Sequence, residues 1–339
     1  MKQEEANKNQ LLSFAAKLGL TALFILVVLL IKATFNIFMM LLAASLIALY
    51  FHGLAGFIQQ KTKLSSKWSM ALSIVISLIF VVLLCWLIGA KVQSQLDELS
   101  SQLPAMVDQA KARLSESSIG QKIFGQNSND NTQKLASAAK RFLNSTFGFL
   151  GDIYVILFLG IFLTSSPDSY KKGIIALVPS RAEQKAEEIL DEVGNKLRSW
   201  LKGKIFAMAV VAGLTAVGLS ILRMPMVLVL ALIAGILNFI PNFGPMIAMV
   251  PAVLIGLSQG TDTALMTAGL YILVQVVESN FITPMVQKKL VSIPPAMIIF
   301  GQLIVGSVTG YLGIILATPL LLIVMVLVQE LYIKKKSPA

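Results

Sequence analysis

Glu278 is the only acidic residue between Asp262 and Glu330, and it directly follows LVQVV at the end of an apolar run. A carboxylate inside lipid is costly and marks a functional site by default. Facing a cavity, it could bind a cation, accept a proton or receive hydrogen bonds from a hydroxylated solute. At an interface it would instead pair with Lys288, Lys289 or main-chain donors. Gln275 and Asn280 flank it and could share either task, and Pro284 follows shortly after. A second constellation precedes it: NFIPNFGPMIAMVP, Asn238 to Pro251, breaks another apolar run. Pro241, Pro245 and Pro251 remove main-chain donors and leave carbonyls free, while Asn238 and Asn242 bring amides that both donate and accept. With Gly244 between them, these residues complete a candidate substrate-binding set.

The surroundings decide what such breaks mean. The chain has 339 residues, 56% hydrophobic and 13% charged, far from the roughly 25% charged of soluble domains. This is the composition of an all-α polytopic membrane protein. The net charge of +11 would suit nucleic acid in a soluble chain. Here many Lys and Arg residues flank or connect apolar runs, as orientation signals and lipid anchors do, so no nucleic-acid partner is expected. A single cysteine, Cys85, and a single histidine, His52, exclude an intrachain disulfide and leave no cluster for a metal.

A span needs about 20 apolar residues. Leu11 to Ile31 fits and is too long for a removed signal peptide, Lys32 to Thr34 reads as a tight connection, and Phe35 to Tyr50 and Met70 to Ala90 follow. Residues 1–90 thus form a three-span region. The loop before Met70 carries Lys61, Lys63 and Lys67 and no acid, which places it, and by parity the amino terminus, in the cytoplasm. Residues 91–146 change character. Val92, Leu96, Leu99, Leu103, Met106, Ala110 and Leu114 make one stripe of an amphipathic helix kinked at Pro104, the start of an extramembrane arm.

Residues 147–204 combine a fourth span with a cytoplasmic helix. Ala186, Ile189, Val193, Leu197 and Leu201 recur at helical spacing, and Lys196, Arg198, Lys202 and Lys204 suit anionic headgroups if this helix lies on the inner membrane face. From 205 to 339 the runs become short. Val227 to Ile240 is too brief for a full crossing, GSVTG interrupts the last run, and Lys334 to Lys336 place the carboxyl terminus inside. About eight crossings result, with one re-entrant hairpin in the C-terminal region.

Two readings of the breaks stand side by side. Non-helical backbone at membrane depth survives only where protein buries it or where it lines a watery cavity, and broken helices build the midplane sites of secondary transporters. Equally, Pro and Asn are ordinary turn formers between helices. The echo between NFIPNFGPM and SNFITPMVQ, Asn-Phe-Ile shortly before a proline, suggests a weak internal repeat. An enzyme is not expected, because HExxH, the P-loop and a serine nucleophile motif in a suitable setting are all lacking. No cofactor is implied.

In order along the chain, PNFGPMIAMVPAVLIGL, VVESNFITPMV and GIILATPLLLIVMVL resemble the AI-2E transporter family, the bacterial permease-like group named for autoinducer-2 export. The resemblance covers most of the chain and is strongest after Ile205. It implies an inner-membrane permease of about eight spans, assembled as a homo-oligomer, a pentamer by analogy, with a mobile C-terminal transport part. The family's proposed activities are export of a quorum-sensing signal and exchange of Na+ or Li+ for H+. A small polyol would need amides, carbonyls and one carboxylate, which Asn238, Asn242, Glu278 and Asn280 could supply. An antiporter would make Glu278 indispensable, with H+ or Na+ as the coupling ion. A membrane scaffold is the third possibility, marked by function that survives replacement of Glu278 and Asn238. The transport reading predicts that the two breaks meet across a polar cavity.

Overall fold

The computed structural model describes residues 2–83, 86, 151–287 and 293–333; Cys85 and the expected arm over 91–146 lie outside them. Every regular element among the described residues is helical, as expected where lipid offers main-chain groups no partner. Helix α1 spans Lys2–Thr62, α2 Ser66–Leu83, α3 Gly151–Ser165 and α4 Pro167–Ile175. Then come α5 Glu183–Ile221, α6 Val227–Leu237, α7 Phe243–Gln259 and α8 Thr261–Val277. A π-helical turn, Glu278–Ile282, joins α8 to α9, Thr283–Gln287. Helices α10, Pro295–Thr309, and α11, Tyr311–Val328, follow, and a second π-helical turn, Gln329–Ile333, closes the described chain.

Five of these helical segments are long and apolar enough to cross a bilayer, and a sixth arises if α3 and α4, bent by 90°, count as one span. The outward faces of the helices carry exposed Phe, Leu and Ile, among them Phe281 and Phe300. On a soluble protein such a surface would be an aggregation hazard; on a membrane protein it is the face that lipid covers.

Three expectations need correction. Lys32 to Thr34 is helical, so the first two predicted spans are one continuous helix of 61 residues, about 90 Å long at 1.5 Å per residue. The short segment KAT contains no glycine or proline to force a reversal, and the helix runs on through it. The parity argument for the amino terminus, which counted that reversal, loses a crossing. Likewise, the in-plane helix and the span that was to follow it at Ile205 are one helix, α5. Finally, Pro251 does not extend the first break, because α7 continues through it.

Two apolar cores organise the bundle, and α5 belongs to both. Its first half contributes Leu197, Trp200 and Leu201 to a core with Met39 and Leu42 of α1, Ile156 of α3, Ile298 and Val305 of α10, and Leu316 and Leu322 of α11. Its second half contributes Val211 and Leu219 to a core with Leu230 and Ala234 of α6, Ala248 and Ala252 of α7, and Tyr271 and Val274 of α8. Small residues let the α6–α7 hairpin press into this second core, since close backbone approach is how helices associate in lipid. A methyl group on Gly235 would come within 2.8 Å of the Ala212 Cβ on α5.

Helix α4 is clipped to α5 by Lys171, whose ammonium reaches Glu187 at 2.9 Å and Asp191 at 2.8 Å. Those exposed ion pairs contribute little each. Nearby, Lys185 at the start of α5 reaches Glu330, just past α11, at 2.8 Å.

Candidate functional site

The tip of the α6–α7 hairpin is built by proline chemistry. Pro245 occupies the first turn of α7, where its missing N–H costs nothing. That absence leaves the carbonyl four residues back, on Pro241, without an α-helical donor. The backbone responds with a γ-turn: the Phe243 N–H donates to the Pro241 oxygen at 2.8 Å, and Asn242 at its centre has φ 66° and ψ −48°. This turn is rare and strained. Gly244 is required beside it, because a Cβ there would overlap the main-chain carbonyl oxygen of Leu237.

A side chain from the other core completes the tip. Gln302 of α10, 1% exposed, donates through Nε2 to the Pro241 carbonyl at 3.0 Å and to the Ile314 carbonyl at 3.4 Å, and its Oε1 accepts from Asn242 Nδ2 at 3.3 Å. Gln302 belongs to none of the motifs that mark the two breaks in the sequence. The available signal was an amide isolated in the apolar run AMIIFGQLIVG, where only a buried partner can satisfy it.

The second constellation takes a different backbone, which corrects the suggestion of two matched breaks. Pro284 cannot donate, so the helix widens ahead of it into a π-turn, and the Thr283 N–H bonds to the Glu278 carbonyl five residues back. Helix continues on both sides of this bulge. Pro284 therefore re-registers the helix without breaking it, and the turn aims Glu278 inward. Glu278 is 7% exposed. Its Oε1 accepts from Thr283 Oγ1 at 2.8 Å, and its Oε2 lies 3.5 Å from both Gln275 Nε2 and Ser279 Oγ.

Asn238, Pro241, Asn242, Gln275, Glu278 and Pro284 all line one cavity of about 290 Å³. Gly244, Pro245 and Asn280 do not line it. Gly244 and Pro245 shape the hairpin tip behind the wall, and Asn280 is exposed, with its Nδ2 donating to the Val276 carbonyl at 2.8 Å. The cavity is also lined by Trp200, Gly203 and Lys204 from the middle of α5, by Ser279 and Thr283, and by Thr318 of α11. It therefore sits where the two cores adjoin.

Lys204 corrects another expectation. Grouped with three other bases as a headgroup anchor, it instead lines the cavity from the inner face of α5. The basic run KLRSWLKGK disguised it, because a helix distributes neighbouring lysines to different faces. Two further polar atoms of the lining, Asn238 Nδ2 and Thr318 Oγ1, are buried with no hydrogen-bond partner. Among the described residues no cluster of His, Cys, Asp and Glu could hold a metal ion. The arrangement can bind a small polar solute: it offers one carboxylate, one ammonium, amides and hydroxyls within apolar walls, the composition of small-molecule pockets.

Several curated proteins are similar in sequence. The chain is 24% identical to YueF of Bacillus subtilis, a candidate transport protein by name, over 282 residues, 77% of this chain and 76% of YueF. It is 27% identical to YrrI of the same organism, also named as a candidate transport protein, over 164 residues. That match covers 48% of this chain and 46% of YrrI, so the similarity spans less than half of that relative's length. Over 126 residues, 37% of each chain, it is 26% identical to the AI-2 transport protein TqsA of Escherichia coli. Residues 18–333, nearly the whole chain, match the family described as AI-2E family transporter. This membrane protein, with its polar cavity between two helical cores, belongs to the AI-2E transporter family.

Proposed function

We propose that the chain is a secondary permease of the bacterial cytoplasmic (inner) membrane, exporting a small hydrophilic metabolite or signal of the autoinducer-2 type through the cavity between the α6–α7 tip and the Glu278 turn. The observation that carries this reading is the convergence of Asn238, Asn242, Gln275 and Glu278 on one cavity. Its volume of about 290 Å³ lies at the small end of ligand pockets, which run from about 300 Å³ upward. Amides, hydroxyls and a carboxylate can together replace the hydration shell of a polyhydroxylated solute. The similarity to a protein named for AI-2 transport supports the same solute class. A homo-oligomer, lipid around the exposed apolar faces and a cytoplasmic carboxyl terminus complete the proposal.

A second reading rests on Glu278 itself, a buried carboxylate of the kind that exchanges a cation for a proton. It would make the protein a Na+(Li+)/H+ antiporter. When protonated, Lys204 weighs against it, because an ammonium lining the same cavity repels an entering cation.

Proteoliposomes holding the wild-type chain or Glu278→Gln separate these readings. Flux of labelled autoinducer-2 without sodium supports the exporter. Sodium-driven proton movement, lost in Glu278→Gln, would replace it with the antiporter, and neither activity in a folded protein would sink both.

A further inference from the structure

The segment SSPDSYKKGIIALVP, Ser165 to Pro179, lies outside the cavity lining. Its helix, α4, leaves α3 at 90° and so lies across the direction of that span. Its depth follows from the ion pairs. Helix α11 and the π-turn after it run 23 residues, Tyr311–Ile333, about 34 Å and so the full thickness of a hydrocarbon core. Near the far end of this span Glu330 pairs with Lys185 at 2.8 Å, and within about two turns of Lys185 on α5, Glu187 and Asp191 hold Lys171 of α4. Exposed Tyr332, of an aromatic type enriched at membrane–water boundaries, stands at the same end. Helix α4 thus runs along the membrane at the level of its surface.

Helical phase gives α4 three sides. Toward α5 it turns Lys171, Ile175 and, just past its end, Val178, all partly buried. Asp168 and Lys172 are exposed on a polar side. Tyr170, Ile174 and Leu177, four and three residues apart, form an apolar side roughly opposite Lys172, and the described residues leave it open, Leu177 being 86% exposed. Exposed Phe158 and Phe162 carry the apolar surface of α3 up to the bend. From this we infer that α4 is a membrane-surface docking helix, whose Tyr170–Ile174–Leu177 stripe lies in the headgroup–acyl boundary of the bilayer while Asp168 and Lys172 face water. The in-plane role expected of residues 186–201 falls to α4, and Lys171 ties this anchor to the start of α5. The stripe carries no charge, so docking does not require anionic lipid. The inference needs only the membrane-spanning fold and holds for any solute.

Cys85 is the only cysteine, so Cys85→Ser gives a background for single nitroxide labels. Labels on Tyr170→Cys, Ile174→Cys and Leu177→Cys read the stripe, and labels on Asp168→Cys and Lys172→Cys read the polar side. The full chain is reconstituted into phosphatidylcholine vesicles with and without phosphatidylglycerol. Electron paramagnetic resonance then compares collision with oxygen, which concentrates among acyl chains, and with a water-soluble nickel chelate. The expected oxygen-to-nickel ratio is several-fold higher at the stripe than at the polar side, in both lipid mixtures. Equal ratios on the two sides overturn the inference, and so do stripe labels shielded from both reagents, which would mark a protein cover such as a second copy. A contrast that appears only with phosphatidylglycerol overturns it too, assigning the contact to headgroup charge. All five sites are exposed, and the three stripe positions report independently if one variant misfolds.

Discussion

The side-chain amide of Gln302, buried in α10, donates to the main-chain oxygen of Pro241 at 3.0 Å across 61 residues of sequence. It supplies the hydrogen bond that Pro245 cannot. One amide therefore holds the strained hairpin tip to the opposite core.

Replacing Gln302 with Leu keeps the volume and removes both donor and acceptor. The Asn242 amide then loses its partner, while Pro241 retains only the γ-turn bond. The expected loss is about 0.5–1.5 kcal/mol, the net worth of an intramolecular hydrogen bond, because Asn242 is exposed and Pro241 only half-buried. Thermal unfolding in detergent should show a clearly lowered Tm; an unaltered Tm would mean that the tip does not depend on this amide.

Asn242 sits at φ 66°, where a Cβ is disfavoured and glycine is not. Both Asn242→Ala and Asn242→Gly lose the bond to Gln302, so their difference isolates the backbone. Asn242→Ala should be the less stable of the two by about 1–2 kcal/mol. Equal stabilities would argue that the turn relaxes out of this conformation.

Two glycines give opposite expectations. Gly244→Ala drives a methyl group into the Leu237 carbonyl oxygen, a main-chain atom that cannot swing aside. Folded protein should fall sharply, judged by monodisperse yield in size-exclusion chromatography. Gly213, inside α5, has open space where its Cβ would be. Gly213→Ala should raise stability by about 0.5–1 kcal/mol through helix propensity.

Thr283 makes the shortest hydrogen bond to Glu278, 2.8 Å. Thr283→Val keeps the shape and deletes the donor, so the carboxylate should stay in place but lose orientation. A stability cost of about 1–2 kcal/mol is expected from a bond to a charged acceptor. Thr283→Ser should recover most of it, and a Ser variant no better than Val would show that the methyl group, not the hydroxyl, matters.

Much of the candidate site was legible because polar residues stand out in an apolar background. Asn238, Asn242 and Glu278 are costly in such runs, and all three line the cavity. What escaped was set by three-dimensional context. Lys204 ends a basic stretch whose other members face outward, and only helix phase distinguishes it. Gln302 looked unimportant because its partners lie 61 and 12 residues away. The form of the second break was hidden for another reason: a proline can end a helix or be absorbed in a π-turn, and packing around Glu278 decides between them. At the amino end, two hydrophobic runs separated by one lysine look like two spans, whereas helix propensity carries straight through KAT.

Turns between helices ordinarily absorb insertions and deletions, since they lie at the surface and few contacts depend on their length. The α6–α7 turn is different. Phe239 packs against the core of α1, α10 and α11 and lies edge-on to Trp200, with ring centroids 5.7 Å apart, while Leu237, two residues earlier, packs against the other core. One added or deleted residue here would shift Phe239, the Pro241 carbonyl and the start of α7 out of step with partners on both sides. Length at this turn is thus constrained like the register of a buried strand, and variation among related chains should collect at the other helix junctions instead.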